Sequence, residues 1–321
     1  MRHCATYRDP IPVRALAQLA NTLVPYLALV GAMLVGAAHG YWIVVALLSL
    51  PAGGLLVRLF IIQHDCGHGS FLPTRRLNDG IGRALSLLTA TPYDSWKRAH
   101  SLHHASTGDL SRRGIGDVQT LTVREYLART RWGRLRYRLY RNVFLLIGIG
   151  SPLNFLFLQR MPFGVGLPWR AAWRDVLALN VGLVAALGAL TFATGSIWVV
   201  LGALVPTICV AAWIGGWLFY VQHQYEDTVW DDGESWRFPE AALGGSSYYV
   251  LPRVLQWFTG NVGLHHVHHL NSRIPNYRLQ ECLDAHDSLG RIGRLTLRES
   301  LSCIRLALWD EESRRLVAFP R

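Results

Sequence analysis

Four apolar stretches, each close to the ~20 residues that a helix needs to cross a bilayer, divide this chain of 321 residues. They occupy residues 22–38, 41–62, 176–193 and 197–219 and fall into two pairs. His39-Gly40-Tyr41 joins the first pair and Thr194-Gly195-Ser196 the second, and neither connector carries Lys, Arg, Asp or Glu. Composition agrees with a membrane protein: 51% of the residues are hydrophobic and 17% charged, against about 25% charged in ordinary soluble domains. The expected fold is all-α and integral to the membrane, with four transmembrane helices in two hairpins. Residues 63–175 and 220–321 then form a helical cap. No internal repeat or low-complexity linker interrupts the chain, so residues 1–321 read as one domain.

Charge sets the expected orientation. The net charge is +11, and 17 Lys or Arg residues lie between His64 and Arg174. Arg2, Arg8 and Arg14 precede the first span. Positive residues stay on the cytosolic side, which puts both termini and the cap there, in what is expected to be a bacterial inner membrane. The basic residues flank apolar spans, so nucleic acid is not an expected partner. The five cysteines (Cys4, Cys66, Cys209, Cys282, Cys303) are scattered and form no C-x-x-C pair, which argues against a disulfide framework or a thiolate zinc site. No small-residue cleavage site follows the first apolar run, so no cleaved signal peptide is expected.

Two further apolar stretches, 81–91 and 143–158, are too short or too broken by Gly and Pro152 to span comfortably. They read as interfacial or re-entrant helices. If 143–158 were instead a fifth span, the first and third histidine motifs would fall on opposite sides. The arginine-rich run 124–141 reads as a surface helix at anionic headgroups, a docking face for an acidic partner, or a solvated helix face.

Histidine carries the chemistry. Nine of the 13 histidines stand in three motifs and one isolated position. The motifs are His64-x-x-x-His68, His100-x-x-His103-His104 and His265-x-x-His268-His269; the isolated residue is His223. With this histidine content one H-x-x-H-H is expected by chance in roughly one chain in fifty, and two far less often. Residues i, i+3 and i+4 share a helix face, so each motif aims its imidazoles one way, and together they would form a cage at the cytosolic ends of the spans. Eight or nine imidazoles are too many for one ion and point to two metals. Nitrogen-rich cages with open positions suit redox iron, whereas zinc sites need three or four ligands. His266 points off the shared face and reads as a supporting or surface residue; His3, His39 and His286 read as ordinary polar residues. Asp65, Asp94, Asp109, Glu226, Asp227, Asp231 and Asn261 are near enough in sequence to accept the outer N–H of a ligand, or to serve as caps and surface charges.

The order H-x-x-x-H, H-x-x-H-H, H-x-x-H-H on a four-span scaffold resembles the membrane fatty acid desaturases and their hydroxylase relatives. Trp217-Leu-Phe-Tyr-Val-Gln-His-Gln-Tyr-Glu-Asp-Thr, Pro92-Tyr-Asp-Ser-Trp-Lys and Thr259-Gly-Asn-Val-Gly-Leu-His-His-Val-His-His-Leu-Asn-Ser-Arg-Ile-Pro-Asn-Tyr sharpen this toward bacterial delta-12 (omega-6) acyl desaturases. The resemblance implies a di-iron centre with His64, His68, His100, His103, His104, His223, His265, His268 and His269 as ligands. It also implies O2 as co-substrate, a membrane acyl substrate and insertion of a cis double bond. Some relatives carry an asparagine one turn before the isolated histidine; here that residue is Phe219, and Asn261 is a possible substitute. Neither a His-Pro-Gly-Gly motif nor a ferredoxin cysteine set is present, so an external donor, ferredoxin or cytochrome b5, is expected on the arginine-rich face. Two alternatives stand beside this reading. A hydroxylase or ketolase of lipid, alkane or carotenoid would share the cage. A metal transporter would need ionisable residues in mid-span, and the spans hold almost none.

Overall fold

The structure, a computed structural model, describes residues 2–114, 116–163 and 166–320. Among them, four helices are long and apolar enough to cross a membrane: Pro12–Ala38, Trp42–His68, Trp169–Thr194 and Ile197–His223. Each runs past the apolar stretch that marks it. A helix of 27 residues is about 40 Å long, whereas the hydrocarbon core is about 30 Å thick. The second and fourth helices therefore protrude by about two turns, and the protruding turns carry His64, His68 and His223.

The turns between spans are set locally. Gly40 and Gly195 adopt φ of 77° and 73°, a region that favours glycine, and the Ser196 hydroxyl accepts from the Trp198 amide to cap the fourth span. The apolar window of the second span is 67% buried, against 11–28% for the other three. It is therefore the central helix, packed on the first and the fourth. The fourth span comes close at Gly53, where a β-carbon would stand 2.5 Å from Val210 Cγ1. Close approach at small residues is how helices associate in lipid, where apolar burial gives little advantage. The outer faces of the other spans expose Val24, Val181, Phe192 and Trp198, as lipid contact requires.

The cap is mostly helical. Arg75–Thr89 and Tyr93–Ser106 follow the second span, the latter carrying the second histidine motif, and His265–Leu270 carries the third. Two small sheets tie distant segments together. Leu121–Thr122 pairs parallel to Leu308–Asp310, which pairs antiparallel to Arg315–Val317; Tyr248–Val250 pairs parallel to Arg294–Thr296.

Residues 143–158 form a broken structure, not a regular helix. A π-helix, Phe144–Gly150, leads into Ser151–Leu156 and a 3-10 turn at Leu158–Arg160. This segment bends by 59° from the preceding helix, Arg131–Arg141. Wide π turns leave backbone groups free, and the Trp213 indole N–H on the fourth span donates to the Gly148 carbonyl at 2.9 Å.

The arginine-rich helix is not one uniform face. Arg141 is buried and donates to Gln224 Oε1 (2.6 Å), the Leu306 carbonyl (3.0 Å) and Thr120 Oγ1 (3.2 Å). Arg138 donates to the Tyr126 hydroxyl at 2.7 Å and the Pro320 carbonyl at 2.8 Å. These two arginines hold the cap together, whereas Arg136 is exposed and Arg134 half-buried.

Gly53→Leu should force the second and fourth spans apart at a cost of about 1–3 kcal/mol. The expected outcome is a lower midpoint of thermal unfolding in detergent, read by scanning fluorimetry, with Gly31→Leu, which faces open space, as the control that leaves it in place.

Candidate metal centre

The nine histidines converge at the protruding helix ends, in two adjacent groups. His64, His68, His100, His104 and His268 form one; His103, His223, His265 and His269 form the other. Within each group the nitrogens available for coordination lie within 4.8 Å of one another. In the first, successive Nε2 atoms are 3.3 Å (His64–His68), 3.1 Å (His68–His100), 3.1 Å (His100–His104) and 3.1 Å (His104–His268) apart. In the second, His265 Nε2 is 3.0 Å from the Nε2 atoms of both His223 and His269. The groups meet where His104 and His269 stack with ring centroids 4.1 Å apart.

Each H-x-x-H-H motif serves both groups, which is where the one-face reading of the sequence fails. His100 and His104 face the first group and His103 the second; His265 and His269 face the second and His268 the first. The cause is helical geometry. Residues i and i+4 differ by about 40° around the axis, whereas neighbours i+3 and i+4 differ by about 100°. Two helices that insert between the groups therefore divide their imidazoles two and one, in opposite senses.

Acceptors behind the rings fix their orientation. Asp65 Oδ1 lies 3.2 Å from His64 Nδ1, and Asp65 Oδ2 accepts from the Asn276 backbone amide at 2.6 Å and its side-chain amide at 2.8 Å. Asn276 Oδ1 in turn accepts from Gln18 at 2.7 Å. Asp117 accepts from His103 Nδ1, and the Gly245 carbonyl from His223 Nδ1 at 2.9 Å. With the Nδ1 proton held there, the Nε2 lone pair is directed inward.

Of the seven supporting residues suggested by the sequence, only Asp65 has this role. Asp94 pairs with Arg83, Asp109 with Arg112, Asp231 with Arg314, and Glu226 and Asp227 with Arg315. Asn261, with φ of 59°, donates to the Asn276 carbonyl at 3.0 Å and does not replace the missing asparagine. Phe219 instead packs its ring 5.3 Å from His223 and 5.5 Å from His103. Asp117 escaped the sequence reading because a loop brings it back to the second motif. The one local trace is Gly116, whose φ is 70° and whose β-carbon would stand 3.2 Å from His103 Cβ.

His266 is buried, not at the surface. Its Nε2 lies 2.9 Å from the Leu289 carbonyl, its ring packs on Tyr248, and it belongs to neither group. His3 contacts the Cys282 carbonyl, His39 the Val35 carbonyl and His286 the Ser288 hydroxyl.

The donor set fits metal ions. His103 Nε2 is buried without a hydrogen-bond partner among the described residues, in a group whose other donors converge in the same way. Burial, followed by the neighbouring imidazoles, pushes His100, His104, His265, His268 and His269 below the usual histidine range. The shift favours the neutral imidazole, the form that ligates metal.

A polyhistidine site at one end of a bundle of apolar helices defines an integral-membrane protein with a ligand set able to hold metal. The family model for fatty acid desaturases matches residues 40–294. A fatty acid desaturase of Bacillus subtilis is 39% identical over 320 residues, covering 99% of this chain and 89% of that protein. An sn-1 acyl-lipid omega-3 desaturase (ferredoxin) of Nostoc sp. is 26% identical, covering 76% of this chain and 67% of the relative. An sn-1 oleoyl-lipid 12-desaturase of Anabaena variabilis is also 26% identical, covering 74% and 67%. This chain belongs to the fatty acid desaturase family, and its activity class is that of an oxidoreductase.

Asp117→Ala should weaken metal binding at the second group by about 10–100-fold. Metal content after dialysis against a graded series of chelator concentrations, read by plasma mass spectrometry, checks this: about half the wild-type metal should leave at the lower chelator concentrations.

Proposed function

We propose that this protein is an oxygen-dependent di-iron desaturase that inserts a cis double bond into a membrane acyl chain, in the delta-12 (omega-6) manner. The observation that carries the reading is the division of nine imidazoles into adjacent groups of five and four. That is one nitrogen-rich cage for each of two ions, the kind of ligand set that suits redox iron. His64, His68, His100, His104 and His268 would hold one ion, and His103, His223, His265 and His269 the other. Two such irons would supply the oxidising power, drawn from O2, two electrons and two protons, to take two hydrogens from adjacent saturated carbons with release of two waters.

The chain's own residues do the rest. Asp65, Asp117 and the Gly245 carbonyl keep His64, His103 and His223 aimed inward. Phe219 presents an apolar surface to the second group, and Trp96 stacks on His100 at 4.7 Å while meeting Phe60 edge-on at 5.2 Å. These aromatics exclude water beside the histidines. The name of the Anabaena relative, an oleoyl-lipid 12-desaturase, supports the position, and that of the Nostoc relative, an omega-3 desaturase, supports ferredoxin as donor.

The excess of arginine on the histidine side supports a cytosolic site with both termini cytosolic, in a bacterial inner membrane, within a single domain of residues 1–321. Electrons would come from an external donor, ferredoxin or cytochrome b5. Because Arg138 and Arg141 hold the cap together, the docking surface is assigned to Arg134 and Arg136.

Expression in cells that lack polyunsaturated lipids, with donor present, should yield a diunsaturated acyl chain with a cis bond at position 12, read by gas chromatography and mass spectrometry. His268→Ala should abolish it. Hydroxylated chains in place of the new double bond would move the protein to the hydroxylase reading. Arg134→Glu with Arg136→Glu should lower turnover several-fold at limiting donor and leave iron content unchanged; unchanged turnover would remove the docking assignment.

A further inference from the structure

A groove of about 670 Å³ lies away from the histidines, between the helix Arg75–Thr89, the start of Tyr93–Ser106 and the third span. Its two ends are fixed. At one, Asp175 Oδ2 accepts from the Ser95 backbone amide at 2.7 Å. At the other, Leu87 crosses Gly182, whose missing β-carbon would stand 2.5 Å from Leu87 Cδ2. Seven residues of helix separate Asp175 from Gly182, about 10 Å.

The groove changes character along that length. Arg83, Asp94, Arg174 and Asp175 line its charged end, bordered by Leu167 and Ala171; Leu87, Ala178, Leu179 and Gly182 line its apolar end. The polar end stands at the start of the apolar stretch 176–193, at headgroup level. Leu177 and Val181 beside it are exposed, so the apolar end opens to the acyl region.

Charge narrows the occupant. Arg83 and Asp94 neutralise each other through two contacts, 3.0 and 3.1 Å. Arg174 makes neither a hydrogen bond nor an ion pair among the described residues, and Asp175 keeps Oδ1 free there. One cation and one anion remain, adjacent in sequence and unpaired with each other. A simple anion would meet Asp175, and a simple cation would meet Arg174. A headgroup that carries both charges satisfies both.

We propose that this groove binds a zwitterionic phospholipid with a primary ammonium, such as phosphatidylethanolamine. The phosphate pairs with Arg174, the ammonium donates to Asp175, and the first carbons of one acyl chain lie along Leu87, Ala178 and Leu179. The site stands apart from the metal centre and does not depend on the reaction assigned to it.

Thermal unfolding of delipidated protein in detergent, titrated with phosphatidylethanolamine or with phosphatidylglycerol, tests this. Phosphatidylethanolamine should raise the midpoint, and phosphatidylglycerol, which has no ammonium, should need at least about tenfold more lipid for the same rise. Arg174→Ser, which removes the charge, and Ala178→Trp, which fills the apolar end, should each remove that difference while keeping the lipid-free midpoint and metal content. Equal responses of the wild type to the two lipids, or a preference that survives both substitutions, would overturn the assignment.

Discussion

Nine imidazole nitrogens with inward lone pairs, buried beside one another, are the constraint on which this molecule turns. Such an arrangement is unfavourable by itself, because buried polar groups need partners and lone pairs repel. The scaffold must hold the rings in place against that tendency. It does so with a central helix that is mostly buried, with acceptors on the Nδ1 atoms of His64, His103 and His223, and with short sheets that tie the end of the chain back to the loop after the second motif. The N-terminal segment adds a further brace: Cys4 packs with Val267, Leu270 and Leu279 behind the third motif.

Much of this was legible in the sequence, for physical reasons. Lipid imposes a length on apolar helices, so the four spans stand out. Arginine asymmetry and histidine spacing point independently to the same end of the bundle. His223, weak as an isolated residue, lies in the second group, 3.0 Å from His265. The ends of the helices were less visible, because nothing in an apolar window marks where a helix continues into polar surroundings.

The remainder depended on tertiary structure. The contact of Asp117 with His103 comes from loop closure, which leaves no periodic pattern. The roles of Arg138 and Arg141 were hidden inside a run of similar residues, of which some face solvent and one is buried beneath Gln224 and the C-terminal segment. The division of each H-x-x-H-H motif between two groups is different in kind. It follows from the rotation per residue in a helix, but only once a second group is known to lie on the other side.

That division has a mechanical consequence. His103 and His104 are consecutive residues, as are His268 and His269, and each pair straddles the boundary between the groups. The two groups are thus tied at each pair by a single peptide unit, 3.8 Å from Cα to Cα, with the paired ring centroids 5.6 and 5.9 Å apart. A movement of loops in the cap therefore cannot separate the two halves beyond the reach of adjacent side chains.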